Sequence, residues 1–231
     1  MLSFVLSKFL PMRLTLLGAG ALSALPLLAQ PTLAADLAHS ASASAAAPVS
    51  PAAAMRIDGL LDEAAWQQAE RTDRFYQVIP ATLTEHDDKV SMRAFANADG
   101  VYVGIINYQK RGQRQKQYNL QDGFMQADFN NIMLDFAGDG TGAYLFSMTL
   151  GGGVQDGAMT PQLTVDYDWD GVWQVANHET DDYWTSEFFL PWSAVSFRHR
   201  PDQAGLSSIG LSVQLYDLAS NHVFGSQPQT R

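Results

Sequence analysis

The sequence predicts an all-β fold, an antiparallel β-sandwich with one short helical turn near its start, on three observations. Runs between residues 90 and 218 alternate apolar and polar side chains with a period of two, the pattern of strands buried on one face. Clusters of Gly, Asp and Asn interrupt these runs at spacings close to the roughly 8–12 residues common in sandwiches. Only residues 60–70, LLDEAAWQQAE, space their apolar side chains for a helix, with Leu60, Ala64 and Ala65 beside Trp66.

Two segments of different character precede the fold. Residues 1–34 carry Lys8 and Arg13, then an apolar run at 14–29 broken by Gly18, Gly20 and Pro26, then small residues suited to cleavage near Ala34. That is the composition of a secretory signal peptide, and it predicts export. No run approaches the ~20 uninterrupted apolar residues of a membrane-spanning helix. Residues 35–55 are almost entirely Ala, Ser and Pro and read as a flexible linker. The globular part is assigned to residues 56–216, enough chain for one core. Residues 217–231 are assigned to a polar tail or a truncation point.

Within the globular part, Val90, Met92 and Ala94 alternate against Ser91, Arg93 and Phe95, turn at NADG (97–100), and resume with Val101, Val103 and Ile105. This is a hairpin pattern. Residues 128–136 set Ile132, Leu134 and Phe136 to one side. After AGDGTG, Tyr144, Phe146, Met148 and Leu150 share one face. The period continues through 172–180, 183–192 and 208–218.

The 231 residues include no cysteine, which excludes disulfides and thiolate metal sites in an exported protein. The formal charge is -10, and about -12 once Lys8 and Arg13 leave with the signal. Such a surface repels phosphate backbones and argues against nucleic acid as a partner. Neutral sugars and divalent cations are compatible with it.

Asp166, Asp168 and Asp170 alternate into Gly171 within VDYDWDGVW (165–173), the opening of a calcium loop in which alternate carboxylates converge on a hard cation. An EF-hand would place its closing bidentate Glu where Asn177 stands, so that loop type is excluded. Asp135 with Asp139 in DFAGDGTG is a second calcium candidate. Against both stands the ordinary use of Asp and Gly in turns. Of the five tryptophans, Trp66, Trp173 and Trp184 are expected in the core, and Trp192 follows a proline at a strand end. Trp169 is expected nearest the surface, where an indole can stack on a sugar ring.

Catalytic signals are sparse. The histidines show no zinc-binding spacing, and there is no Gly-x-Ser-x-Gly elbow. Glu187 is the one carboxylate set squarely inside an apolar strand, a position that usually faces outward or is hydrogen-bonded. No catalytic residue is assigned.

The segments RIDGLLDEAAWQQAE, KVSMRAFANADGVYVGI, DFNNIMLDF, GAYLFSMTLGGGVQDG, WDGVWQVA and WTSEFFLPWSAVSF follow one another as in family 9 carbohydrate-binding modules. Residues 56–215 resemble that family, in the version found at the N-terminus of exported bacterial proteins whose C-terminal part resembles an outer-membrane β-barrel. The resemblance implies a jelly-roll-like sandwich, often with structural calcium. It also implies a saccharide end held between two tryptophans, helped by an acidic residue, an arginine and an asparagine. This chain departs at those positions: Met125 stands at the first tryptophan, Asn131 at the acidic residue, and Ser147 and Thr149 at the arginine and asparagine. The second tryptophan has no counterpart in residues 217–231.

The expected function is a non-catalytic, exported carbohydrate-binding module, periplasmic or outer-membrane-associated, serving glycan handling and breakdown. Its partner is a glycan or oligosaccharide, and the resemblance adds an outer-membrane partner or a C-terminal barrel. Met125, Asn131, Ser147, Thr149 and Trp169 are the sugar-contacting candidates. Calcium, at Asp166, Asp168, Asp170, Asp135 and Asp139, is the only cofactor expected. Two readings stay open beside it: a structural or protein-interaction sandwich whose sugar site has decayed, and a glycoside hydrolase.

Overall fold

Period-two alternation resolves into two facing antiparallel sheets. The computed structural model describes residues 55–118, 120–123, 125–138, 140–162, 164–196 and 209–227. The expected signal peptide, the linker up to residue 54, and Asp139 lie outside the described residues. The chain forms α1 (Ala64–Gln68), β1 (Glu70–Thr72), β2 (Phe75–Ile79), β3 (Glu85–His86), β4 (Val90–Ala96), β5 (Gly100–Asn107) and β6 (Phe129–Asp135). It continues through β7 (Ala143–Thr149), β8 (Val154–Met159), β9 (Val165–Asp166), β10 (Gln174–Glu179), β11 (Trp184–Pro191), β12 (Gly210–Asp217) and β13 (His222–Gly225). One sheet runs β1-β4-β5-β11-β10, and the other β3-β2-β13-β12-β6-β7-β8-β9.

Successive side chains on a strand point to opposite faces, so the alternating apolar set of each strand closes on its partner sheet. Val90, Met92, Val103, Ile105, Phe188 and Leu190 pack against Ile132, Leu134, Phe146, Met148, Val213 and Leu215 in one core. Each such side chain contributes about 1.5–3 kcal/mol when fully buried. The NADG turn closes as expected, with the backbone N–H of Asp99 donating to Asn97 Oδ1 at 2.8 Å.

The segment assigned to a polar tail contains a strand. β13 lies between β12 and β2 and buries Val223 and Phe224. Four residues are too few for a period of two to register, which is why tertiary pairing alone reveals it.

Glu187 faces away from the core, toward the segment that carries α1. Its Oε2 accepts from the backbone N–H groups of Asp58 (3.0 Å) and Gly59 (2.9 Å), and its Oε1 from Trp66 Nε1 (3.3 Å). The Thr185 hydroxyl donates to the Gly59 carbonyl, and Arg93 Nη1 to the Trp66 carbonyl. Gly59 adopts φ +85°, and a Cβ there would stand 2.5 Å from the Asn177 carbonyl carbon, so the position requires glycine. Glu187 is 0% exposed. Burial pushes its carboxyl up to about 7 even though three N–H donors favour the ionised form. The in-strand carboxylate is therefore the anchor of the N-terminal segment.

Candidate binding cleft

On the eight-stranded sheet, β6 is buried along its whole length, on both faces. A strand whose outer face met water would alternate in burial, so something covers that face. Gln115, Gln117, Met125 and Gln126 from the connection before β6, and Asp217, Leu218 and Asn221 from the β12–β13 turn, border a cleft of about 620 Å³ over it. The volume lies within the roughly 300–1,000 Å³ of small-ligand sites.

The floor has three zones, set by strand register. At one end Val78, Phe129, Tyr216 and Val223 form an apolar cluster, against which Met125, Ile79 and Leu218 pack. At the other end Leu145 lines the cleft and packs with Met133, Ala143 and Met159, which do not line it, in a second cluster. Between them runs a polar row from four neighbouring strands, Gln214, Asn131, Ser147 and Gln155, each opposite the next. Ser147 Oγ donates to Asn131 Oδ1 at 3.3 Å, Asn131 Nδ2 donates to Gln214 Oε1 at 3.5 Å, and the Tyr216 hydroxyl donates to the same oxygen at 3.2 Å. Burial pushes the Tyr216 hydroxyl well above the usual phenol range, so it stays neutral. The rings of Phe129 and Tyr216 stack on each other, with centroids 4.1 Å apart and planes 11° apart.

Both bordering segments are tied to a single carboxylate. Asp128 is 0% exposed. Its Oδ2 accepts from the Gln115 backbone N–H (3.0 Å) and Gln109 Nε2 (3.3 Å), and its Oδ1 accepts from the Leu218 backbone N–H (2.8 Å). Gln115 and Leu218, from different segments of the chain, both line the cleft. Burial raises the Asp128 carboxyl above its ordinary value, against the pull of these donors.

Three of the five proposed sugar contacts, Met125, Asn131 and Ser147, line this cleft. Thr149 does not: its hydroxyl accepts from the Gly153 N–H at 2.7 Å and closes the β7–β8 turn. Trp169 is corrected as well. It is half-buried and packs on the core side, against Tyr144 (4.8 Å) and Phe146 (6.0 Å). The aromatic residue that the same acidic segment brings to the cleft is Tyr167, two positions earlier. The chain turns after Asp166, so period-two reasoning no longer relates residues 167 and 169. Trp66 and Trp184 are fully buried, as expected, whereas Trp173 is only half-buried.

Two of the acidic candidates, Asp166 and Asp135, are engaged in turns. Asp166 Oδ1 accepts from the Asp168 N–H at 3.1 Å. Asp156, from β8, organises the rest of the segment by accepting from the Gly171 N–H (2.8 Å) and Trp173 Nε1 (2.9 Å). Asp135 accepts from the N–H groups of Ala137, Gly138 and Gly140, at 3.0, 2.8 and 2.6 Å. Among the described residues no three His, Cys, Asp or Glu side chains are grouped to share a metal ion. As folded, Asp135 and Asp166 each turn a carboxylate oxygen to nearby backbone N–H groups, and Asp139 lies outside the described residues.

Among the described lining residues the only charged or readily charged groups are Asp217 and His222, and the remaining polar ones are amides and hydroxyls. The arrangement can hold an uncharged, hydrogen-bonding ligand with an apolar face. Glycoside hydrolysis ordinarily uses a carboxylate pair, and one carboxylate lines the cleft.

The two-sheet sandwich is the class of protein that this fold defines. No protein-family model matches the chain, and no curated protein does. Among solved structures it is similar to a family 9 carbohydrate-binding module from Caldicellulosiruptor kristjanssonii. With cellotriose bound, that module gives a TM-score of 0.48 at 14% identity, over 75% of this chain and 80% of the other. With glucose bound, it gives 0.49 at 14% identity, over 75% and 81%. A protein of Bacteroides uniformis described as a "putative carbohydrate-binding protein" gives 0.50 at 11% identity, over 71% of this chain and 82% of the other. At such identity this last likeness is one of fold.

Proposed function

We propose that this chain is an exported, non-catalytic carbohydrate-binding module that holds a saccharide in the cleft of its eight-stranded sheet. One observation carries the reading: the row Asn131, Ser147 and Gln155 lines a cleft that is also bordered by apolar side chains such as Met125, Phe129 and Leu145, with Asn131 and Ser147 at its buried floor. Neutral amides and hydroxyls exchange hydrogen bonds with sugar hydroxyls, while apolar walls receive the C–H faces of the ring. The fold shared with the Bacteroides protein supports it. The apolar run and small residues at 1–34 support export to the periplasm or the outer membrane.

Glycan-array screening followed by isothermal titration is the test. Binding of at least one mono- or oligosaccharide is expected, weakened severalfold or more by Asn131→Ala; silence toward all of them would sink the proposal. Calcium is expected to leave the melting temperature of chelator-treated protein unchanged, since a ligand held only by the folded state must raise it. A rise of several degrees at millimolar calcium would show that the carboxylates rearrange into a site.

A further inference from the structure

We propose that Tyr167 is the surface on which the ligand's apolar face rests, and that the cleft selects uncharged ligands; both points rest on the carbohydrate-binding reading. Four other aromatic rings on or near this sheet are committed elsewhere. Phe129 and Tyr216 cover each other's faces and are 9% and 7% exposed. Trp169 and Trp173 pack on the core side of the sheet. Tyr167 is 36% exposed and lines the cleft, and among the described residues no ring stacks on it. Among the described aromatic side chains that line the cleft, Phe129, Tyr167 and Tyr216, its ring is the most exposed.

Its placement is built into the sheet. β9 pairs with β8, Ala158 opposite Asp166 and Met159 opposite Val165, which delivers Tyr167 to the end of the polar row. Gly157 makes room: a Cβ there would stand 2.7 Å from Val165 Cγ1 and 3.4 Å from Tyr167 Cδ1. The ring therefore lies close over a bare patch of β8, next to Leu145, which is opposite Gly157 on β7. A ligand lying along Ser147 and Gln155 meets Tyr167 at that end.

Selection against charge follows from the same lining. No Lys or Arg is among the described lining residues, and Asp217 is the one carboxylate. A uronic acid brought into the cleft would lose water around its carboxylate and, among the described lining residues, meet no Lys or Arg to replace it, only the His222 imidazole beside the Asp217 carboxylate, so its burial is costly. The surplus of acidic residues over the whole chain repels it further.

The experiment titrates wild type, Tyr167→Ala and Tyr167→Phe with neutral cello-, xylo- and manno-oligosaccharides and with oligogalacturonates. Melting temperatures are recorded in parallel. At least one neutral series is expected to bind, with affinity about tenfold lower in Tyr167→Ala and within about threefold of wild type in Tyr167→Phe. Melting temperatures should stay close, and oligogalacturonates should give no heat. Wild-type affinity in Tyr167→Ala, or equal binding of oligogalacturonates, would overturn the inference while leaving carbohydrate binding intact. Silence toward every sugar would remove both.

Discussion

Glu187→Ala is expected to destabilise the protein by about 3–5 kcal/mol, the range for stripping a buried group from its partners. The substitution leaves the N–H groups of Asp58, Gly59 and Trp66 without an acceptor. Each orphaned buried donor costs about 1–3 kcal/mol. Urea denaturation with tryptophan fluorescence measures the loss, and a change under about 1 kcal/mol would show that the N-terminal segment is held by apolar packing alone. Glu187→Gln keeps an oxygen for Asp58 and Gly59 and should cost less.

The same residue makes stability depend on pH. Burial holds its carboxyl near 7, against an ordinary value of 4.5. Below pH 4.5 the group is protonated in both folded and unfolded chains. As pH rises the unfolded chain releases its proton first, so unfolding is favoured and stability falls until the folded carboxyl has also ionised. The contribution lost is about 3 kcal/mol across that window. The wild-type stability curve should therefore slope downward more steeply between pH 5 and pH 8, by roughly this amount, than that of Glu187→Gln. Parallel curves would refute the assignment.

Asp128→Ala is the second large effect, again about 3–5 kcal/mol. Here the consequence reaches the cleft, because the carboxylate joins two of its lining residues, Gln115 and Leu218. Where the variant is still folded, sugar affinity should fall more than tenfold although Asp128 does not line the cleft. Asp128→Asn retains one acceptor oxygen and should fall between the two. If Asp128→Ala lost stability but kept full affinity, the walls would be shown to hold without it.

Much of the fold was legible in the sequence. Alternation at Val90, Met92 and Ala94, and at Ile132, Leu134 and Phe136, named the core face of β4 and β6 correctly. β13 was missed because four residues carry too little pattern. Of the cleft, Met125, Asn131 and Ser147 were legible only through a family resemblance. Trp169 was chosen and Tyr167 missed, because the chain leaves strand geometry after Asp166 and the period of two no longer tells which face either ring takes. Glu187 stood out only as the one carboxylate squarely inside an apolar strand, and Asp128 carried no signal of its own. Their roles depend on donors distant in the chain, up to 129 residues away for Asp58 and Glu187.

By itself, the sequence determined which side chains turn inward, because a period of two is a local property of the strand. Tertiary structure alone decided that the outer face of β6 would be roofed into a cleft. It also decided that Tyr167 would face that cleft, and that two carboxylates would be buried as anchors. These outcomes depend on which loop crosses which face, and no short window of residues encodes that.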